Sequence, residues 1–395
     1  MKKILFLLFA SVCILTGVVV LGRYTGILFP AQSVIPLTTQ KPTDSSAGQE
    51  SAATWEIQEV ARNLFVPWSI VFTSPNRILV TERNGSVRVI ENGQLLEKPI
   101  HQFTAVRTEQ EEGLMGMTLD PEYTTNSYIY FVYAYPQNGN YTNKVVRMTD
   151  MKNAFTNEVT ILDGIPASRY HAGSRVQFGP DKKLYITTGD ATDKKLPQDR
   201  NSLGGKILRI ESDGSIPTDN PVPGSSIWSL GHRNPQGITW DPTNALMFST
   251  EHGPSGFDGP LGGDEVNIIE KAGNYGWPLV SHNKSQNGMI DPLLVFTPAV
   301  APASAHFYTG SLFPQWKNTL LFGMLKGEGI MVVTFDENTP TKVQSFEKIP
   351  GISVGRIRDV TSSAKGELYF TTSNDDGRGN SRGGDDKVYK IVRTN

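Results

Sequence analysis

Lys183-Leu-Tyr-Ile-Thr-Thr-Gly189, with Arg175-Val-Gln-Phe178 before it across a short turn, is the stretch whose reading decides the fold. Both halves are rich in Val, Ile, Phe, Tyr and Thr, which suit a pleated, half-buried surface. The second half ends in Thr-Thr-Gly. The same unit, an apolar segment, a turn and a strand ending in Thr, Ser or Gly, recurs along the chain. It reads Trp68–Phe72 with Arg77–Glu82, Leu114–Leu119 with Tyr128–Val132, and Gly237–Trp240 with Ala245–Thr250. A weaker copy is Ser311–Phe313 with Thr319–Phe322, and the last is Ile357–Val360 with Glu367–Thr372. A third strand follows most copies, as in Ser86–Ile90, Lys206–Ile210 and Lys387–Val392. Six small antiparallel units with no competing helical period predict an all-β, six-bladed β-propeller. A two-sheet sandwich is the rival, but it has no need of six similar units. Trp55–Val60 lacks a unit of its own and is expected to pair beside Lys387–Val392, closing the ring.

The chain has 395 residues, 38 of them Gly and 25 Pro, in keeping with many tight turns. Its 37 basic and 39 acidic side chains give a net charge of −2, which leaves no overall field for nucleic acid. The single cysteine, Cys13, excludes disulfides, thiol catalysis and thiolate metal centres from the rest of the chain. Cys13 lies in an uncharged run, Ile4–Gly22, behind Met1-Lys2-Lys3. As a helix this run spans roughly 28 Å. Residues 1–23 are therefore expected to be a membrane anchor. A cleaved signal peptide and a lipoprotein signal at Cys13 are the alternatives, and all three put the main domain outside the cytoplasm, periplasmic or cell-surface. Residues 24–54, Ser/Thr/Ala/Gln/Pro-rich from about Gln32, read as a flexible linker. Residues 55–395 form the propeller.

A propeller gathers loops from every blade at one mouth, so distant residues can share a pocket. His171 sits just before the strand in Tyr170-His-Ala-Gly-Ser-Arg175, and Asp190 closes the returning strand. Asp190 can thus reach His171. The pair is either a general base with its orienting carboxylate or a structural hydrogen bond. Arg356 and Arg358 have i, i+2 spacing and share a face on a strand. With Arg233 and Lys326 they either converge on an anion or are separate surface charges. Glu251-His-Gly-Pro254, followed by Asp258, Asp264 and Glu265, offers hard oxygen ligands for calcium or is an ordinary acidic surface loop. Asp375-Asp376 and Asp385-Asp386 read as turn or solvated residues.

Ordered motifs across residues 55–395 now combine. They include Glu111-Glu-Gly-Leu-Met-Gly116, His171–Arg175, Phe178-Gly-Pro-Asp181, Thr188-Gly-Asp190 and Gly204–Arg209. Further along come Asp213–Pro217, Gly231–Gly237, Glu251–Pro254, Asn274-Tyr-Gly-Trp-Pro278 and Gly355–Asp359. With these the chain resembles the soluble pyrroloquinoline quinone (PQQ)-dependent aldose dehydrogenases, the glucose/sorbosone dehydrogenase family. The resemblance implies a six-bladed propeller that oxidises aldoses at C1 to lactones. It implies His171 as the base, Asp190 as its orienting partner, and Arg233 and Asn234 on the quinone carbonyl. It also implies Lys326, Arg356 and Arg358 on the PQQ carboxylates and quinone oxygens, and the carbonyls of Gly253 and Pro254 on a calcium ion. A planar tricarboxylate needs cations, and calcium serves as Lewis acid on the quinone.

The chain departs from relatives at Tyr170, at Glu111 and in a longer loop, Ser255–Leu261. Tyr170 and Glu111 are the expected substrate contacts. Electrons must leave to an external acceptor, a quinone or a cytochrome, because no C-x-x-C-H motif is present. Two other readings stand beside the dehydrogenase. A calcium-dependent propeller lactonase has no need of the four cations. A non-catalytic binding propeller is the other, yet this chain keeps His171 and the cation set.

Overall fold

The computed structural model describes residues 55–394. The expected anchor and linker lie outside them. Six antiparallel sheets of four or five strands follow one another along the chain. Their innermost strands are Pro67–Ser74, Leu114–Leu119, Gly173–Phe178, Pro235–Trp240, Pro302–Tyr308 and Ile357–Ser362. Each touches the next around a ring, and the last meets the first. Closure is as expected: Trp55–Ala61 pairs antiparallel with Val388–Arg393 and becomes the outer strand of the sixth blade. Among the described residues the only helical elements are Tyr123–Asn126 and the 3-10 turn Pro314–Trp316.

The core is divided between blades. Phe131 packs towards the first blade with Leu79, Val89 and Phe103, whereas its neighbours Tyr130 and Val132 pack towards the third with Val176 and Ile186. A strand alternates its side chains, so one buried on both faces must be apolar at nearly every position. That is why Tyr128–Ala134 shows no polar alternation. Equivalent layers separate the other blades, and Ala61, Ile70, Val80 and Val388 seal the closing joint.

The fifth unit corrects the sequence reading. Its inner strand is Pro302-Ala-Ser-Ala-His-Phe-Tyr308, not Ser311–Phe313. Phe313 instead packs on Tyr308 and Trp316. Small residues line the crowded channel here, and Ala-Ser-Ala carries little strand signal.

All six inner strands shift register near their start, for example between Pro67 and Ser69, Pro235 and Gly237, and Ile357 and Asp359. The same holds in the second, third and fifth blades. A bulge re-aims a side chain and leaves a ladder amide to be satisfied otherwise. The threonines of the returning strands do this. Thr81, Thr187 and Thr371 accept the N–H groups of Ser69 (3.1 Å), Arg175 (2.9 Å) and Asp359 (3.1 Å) through Oγ1. Their hydroxyls also stitch the ring. Thr81 Oγ1 donates to the Met115 carbonyl (2.7 Å) and Thr371 Oγ1 to that of Pro67 (3.3 Å), each in the next blade. Thr250 does the same to Ala303 (2.5 Å). The extra residues in the first, fourth and sixth blades are Trp68, Gln236 and Arg358, and all three line the central cavity.

Candidate active site

Every inner strand begins, and every second strand ends, on one face of the ring. His171, Arg233-Asn234 and Arg356 immediately precede inner strands. Arg83, Asp190, His252 and Asn374 lie just beyond returning ones. This wiring builds two adjoining cavities that share Glu111, His252 and Arg378.

The outer cavity is lined by Tyr170, His171, Arg233, Asn234, Ser255 and Phe257 besides the shared residues. His171 is buried, with a positive φ of 62°. Its Nδ1 lies 2.6 Å from Asp190 Oδ1. Arg233 Nη2 donates to its Nε2 at 2.8 Å, because a guanidinium has no lone pair to offer. The imidazole therefore carries its proton on Nδ1, given to Asp190, and keeps a lone pair on Nε2. Asp190 is fixed in turn by Trp277 Nε1 (2.8 Å) and the Thr192 N–H (2.8 Å). Glu111 accepts the His171 N–H (2.9 Å) and binds Arg378 (2.9 Å). Burial raises the Glu111 carboxyl, but Arg378, then the neighbouring His171 and His252 and the His171 N–H, outweigh that and hold it at about 2. Asn234 accepts the Gly173 N–H (3.0 Å). Tyr170 lies beneath the Arg378 guanidinium, 5.1 Å from ring centre.

Arg233 is fully buried. Its Nε donates to Asp258 Oδ2 (2.7 Å), its Nη1 to the His252 carbonyl (3.1 Å) and its Nη2 also to Ser255 Oγ (3.1 Å). Asp258 and Asp264 are thus buried structural carboxylates, not members of a solvated loop. Asp258→Ala strands a buried guanidinium, at a cost of about 3 kcal/mol. A lower urea midpoint checks this, and an unchanged midpoint contradicts it.

The inner cavity sets four guanidiniums, Arg83, Arg356, Arg358 and Arg378, against two carboxylates, Glu111 and Asp376, over the Trp68 ring. Burial lowers His252 to about 4, so it is neutral near pH 7. Burial likewise lowers Arg358 to about 10. The Nε atoms of Arg83 and Arg358 and the Nε2 of His252 are buried without a hydrogen-bond partner. Such groups are costly to leave unmade and mark a site shaped for a ligand. Asp376 holds Arg356 at 2.7 Å, and Asp386 holds the Asn374 N–H at 2.6 Å; both lie in turn or bend segments, as expected, but are buried rather than solvated. Arg175 and Asp359 pair at 3.0 Å, with the Arg175 guanidinium 4.2 Å from the centre of the Trp68 ring.

Lys326 does not join this group. It is exposed in the turn between Thr319–Met324 and Gly329–Asp336, while its neighbour Leu325 lines the inner cavity. Gly253 and Pro254 are buried at the rim. A Cβ on Gly253 would lie 2.3 Å from the carbonyl oxygens of Gly262 and Gly263, so this is a cradle of backbone oxygens. The Pro254 carbonyl accepts the Gly262 N–H at 3.3 Å. Among the described residues no cluster of three or more His, Cys, Asp or Glu side chains could hold a metal.

Glu112, beside the site, is fully buried, and the Asn143 amide and Ser168 N–H that face its carboxyl do not offset the loss of water. Burial, then the Glu111 charge, raise it to about 8. The folded chain thus keeps a proton that the unfolded chain loses above about 4.3. Stability from this group falls as pH rises from there to about 8. Glu112→Gln removes the slope. The melting temperature of the variant minus that of the wild type should grow by several degrees between pH 5 and 8. A difference independent of pH contradicts this. Glu265 and Asp386, also raised, persist in both proteins and cancel.

Fold and site together define a six-bladed propeller with a buried His171–Asp190 pair at the mouth of a cationic channel that has unpartnered donors. Residues 64–382 match the Glucose / Sorbosone dehydrogenase family, and the chain belongs to it. An aldose sugar dehydrogenase of Escherichia coli is 29% identical over 84% of this chain and 94% of that protein. Quinoprotein glucose dehydrogenase B of Acinetobacter calcoaceticus is 28% identical over 83% and 87%. Among solved structures, the PQQ-bound aldose sugar dehydrogenase of Streptomyces coelicolor has a TM-score of 0.76 and 30% identity, covering 86% of this chain and 98% of that one.

Proposed function

We propose that the protein is a PQQ- and calcium-dependent aldose dehydrogenase that oxidises the C1 hydroxyl of cyclic aldoses to lactones. The observation that carries this reading is His171. Its Nδ1 proton is held by Asp190, its Nε2 accepts from Arg233 Nη2 at the wall of the outer cavity, and the channel beside it is lined by cations with unpartnered N–H groups.

The residues present fit the cofactor. Arg83, Arg356, Arg358 and His252 offer donors that lack partners or exceed the local carboxylates, as a planar tricarboxylate requires. The carbonyls of Gly253 and Pro254, hard oxygen donors at the rim, would hold calcium. When bound, PQQ supplies the two-electron acceptor for the C1 hydrogen, and calcium the Lewis acid that favours its reduction.

The rest is done by the chain. A sugar hydroxyl entering the outer cavity displaces Arg233 Nη2 from His171 Nε2. Arg233 keeps Asp258, Ser255 and the His252 carbonyl and stays in place. His171 Nε2 then takes the C1 hydroxyl proton. Asp190 stays ionised and stabilises the imidazolium. Trp277 and Thr192 keep Asp190 from swinging away. Glu111, Tyr170 and Arg378 line the route by which the sugar arrives. Electrons pass to an external quinone or cytochrome. The apolar run Ile4–Gly22, behind Lys2 and Lys3, supports an extracytoplasmic location with a membrane attachment.

Calorimetric titration of PQQ into the calcium-loaded protein tests the reading. One-to-one binding, weakened by rising salt, is expected. Absence of binding sinks it.

A further inference from the structure

The loop Ser255–Leu261 is tied down at its base and open at its tip. Asp258 receives Arg233 Nε (2.7 Å) on Oδ2 and the Ser255 N–H (2.9 Å) on Oδ1, and Ser255 Oγ receives Arg233 Nη2 (3.1 Å). Between these anchors stands Phe257. It is 68% exposed, so its ring is not held there by the core. The ring nevertheless lies nearly parallel to the His171 imidazole, at 23° with centroids 5.8 Å apart. It lines the outer cavity together with Tyr170, Glu111 and Arg378. A large apolar side chain kept in water beside a proton-accepting histidine has no structural task that this arrangement explains.

We infer that Phe257 is a specificity-determining substrate contact, the aromatic wall on which the C–H face of a cyclic sugar packs over His171. This rests on the aldose dehydrogenase reading. The face of an aromatic ring is electron-rich, and the C–H bonds on one side of a pyranose are its apolar, weakly positive surface. Glu111 and Arg378 supply the polar partners for the hydroxyl rim. The anchors through Asp258 hold the ring in place before the sugar arrives, so little freedom is lost on binding. Packing the sugar against Phe257 also strips water from around His171 Nε2. The site thereby selects ring sugars with a flat C–H face over open-chain polyols, which cannot present one.

The contact is made equally in the bound sugar and at the transition state, so its loss raises KM and spares kcat. In the enzyme reconstituted with PQQ and calcium, Phe257→Ala should raise KM for cyclic aldoses about five- to tenfold. The kcat should stay within about twofold, PQQ affinity should be unchanged, and Phe257→Tyr should restore KM. An unchanged KM overturns the inference. So does a joint fall in kcat and PQQ affinity, which would make the loop a structural brace. Saturation-transfer NMR with glucose on the PQQ-free protein reads the same contact without turnover, and the signal should weaken in Phe257→Ala. Wild-type protein that turns over no aldose but shows this Phe257-dependent signal refutes the dehydrogenase reading and keeps the sugar wall. Turnover without Phe257 dependence in either assay refutes the wall alone.

Discussion

His171→Gln is expected to lower kcat about a thousandfold while leaving PQQ affinity unchanged. The two effects separate because the two cavities separate. His171 lines the outer cavity and is absent from the walls of the inner one. Glutamine can still offer an amide N–H to Asp190, whose other partners, Trp277 and Thr192, are untouched. The fold therefore has no reason to fail. What is lost is a basic lone pair at Nε2, and an amide cannot replace it. Dye-linked turnover and calorimetric PQQ binding on the same preparation check both halves. Retention of more than a tenth of wild-type kcat contradicts the assignment, and loss of PQQ binding would make His171 structural.

Arg358→Met should weaken PQQ binding roughly a hundredfold, as loss of a charge-assisted contact in a dry site implies. The same change should leave the cofactor-free protein as stable as the wild type, or more so. Arg358 is buried, burial lowers its guanidinium to about 10, and its Nε has no partner. Among the described residues its one side-chain hydrogen bond is to Gln236, at 2.9 Å. Methionine gives up that bond but removes a charge held out of water without full compensation. A ligand that binds only the folded state raises its melting point. PQQ with calcium should therefore lift the wild-type midpoint clearly and that of Arg358→Met far less. A variant that binds PQQ within about threefold of wild type contradicts the role. One that melts much lower without cofactor contradicts the cost.

The blade count, the closing strand and the His171–Asp190 pair were all legible in the residues, because alternation and turn spacing are local signals. The bulges were not. A bulge depends on how two strands pair, so Trp68 and Gln236 gave no sign of facing the channel. Arg356 and Arg358 do meet in one cavity, as their spacing led one to expect, but Arg358 gets there as the extra residue of a bulge. Arg83 and His252 were within reach of closer reading. Each lies two residues past its blade's threonine, Thr81 or Thr250, one residue short of the place that Asp190 holds after Thr187. Aligning the repeats on their threonines would have found both. Lys326 shows the converse limit: a motif position does not say which way a turn residue points. The burial of Asp258, Asp376 and Asp386 was not legible because acids in Gly-rich turns are usually solvated, and their partners lie 12 to 25 residues away in the same blade.

The most direct measurement follows reduction of an artificial dye by the purified protein, reconstituted with PQQ and calcium, over a panel of cyclic aldoses. The lactone formed is counted against the electrons delivered. The account predicts saturable, aldose-dependent reduction that needs PQQ and yields one lactone for each pair of electrons. Protein that binds PQQ and calcium yet reduces no dye with any aldose would contradict it.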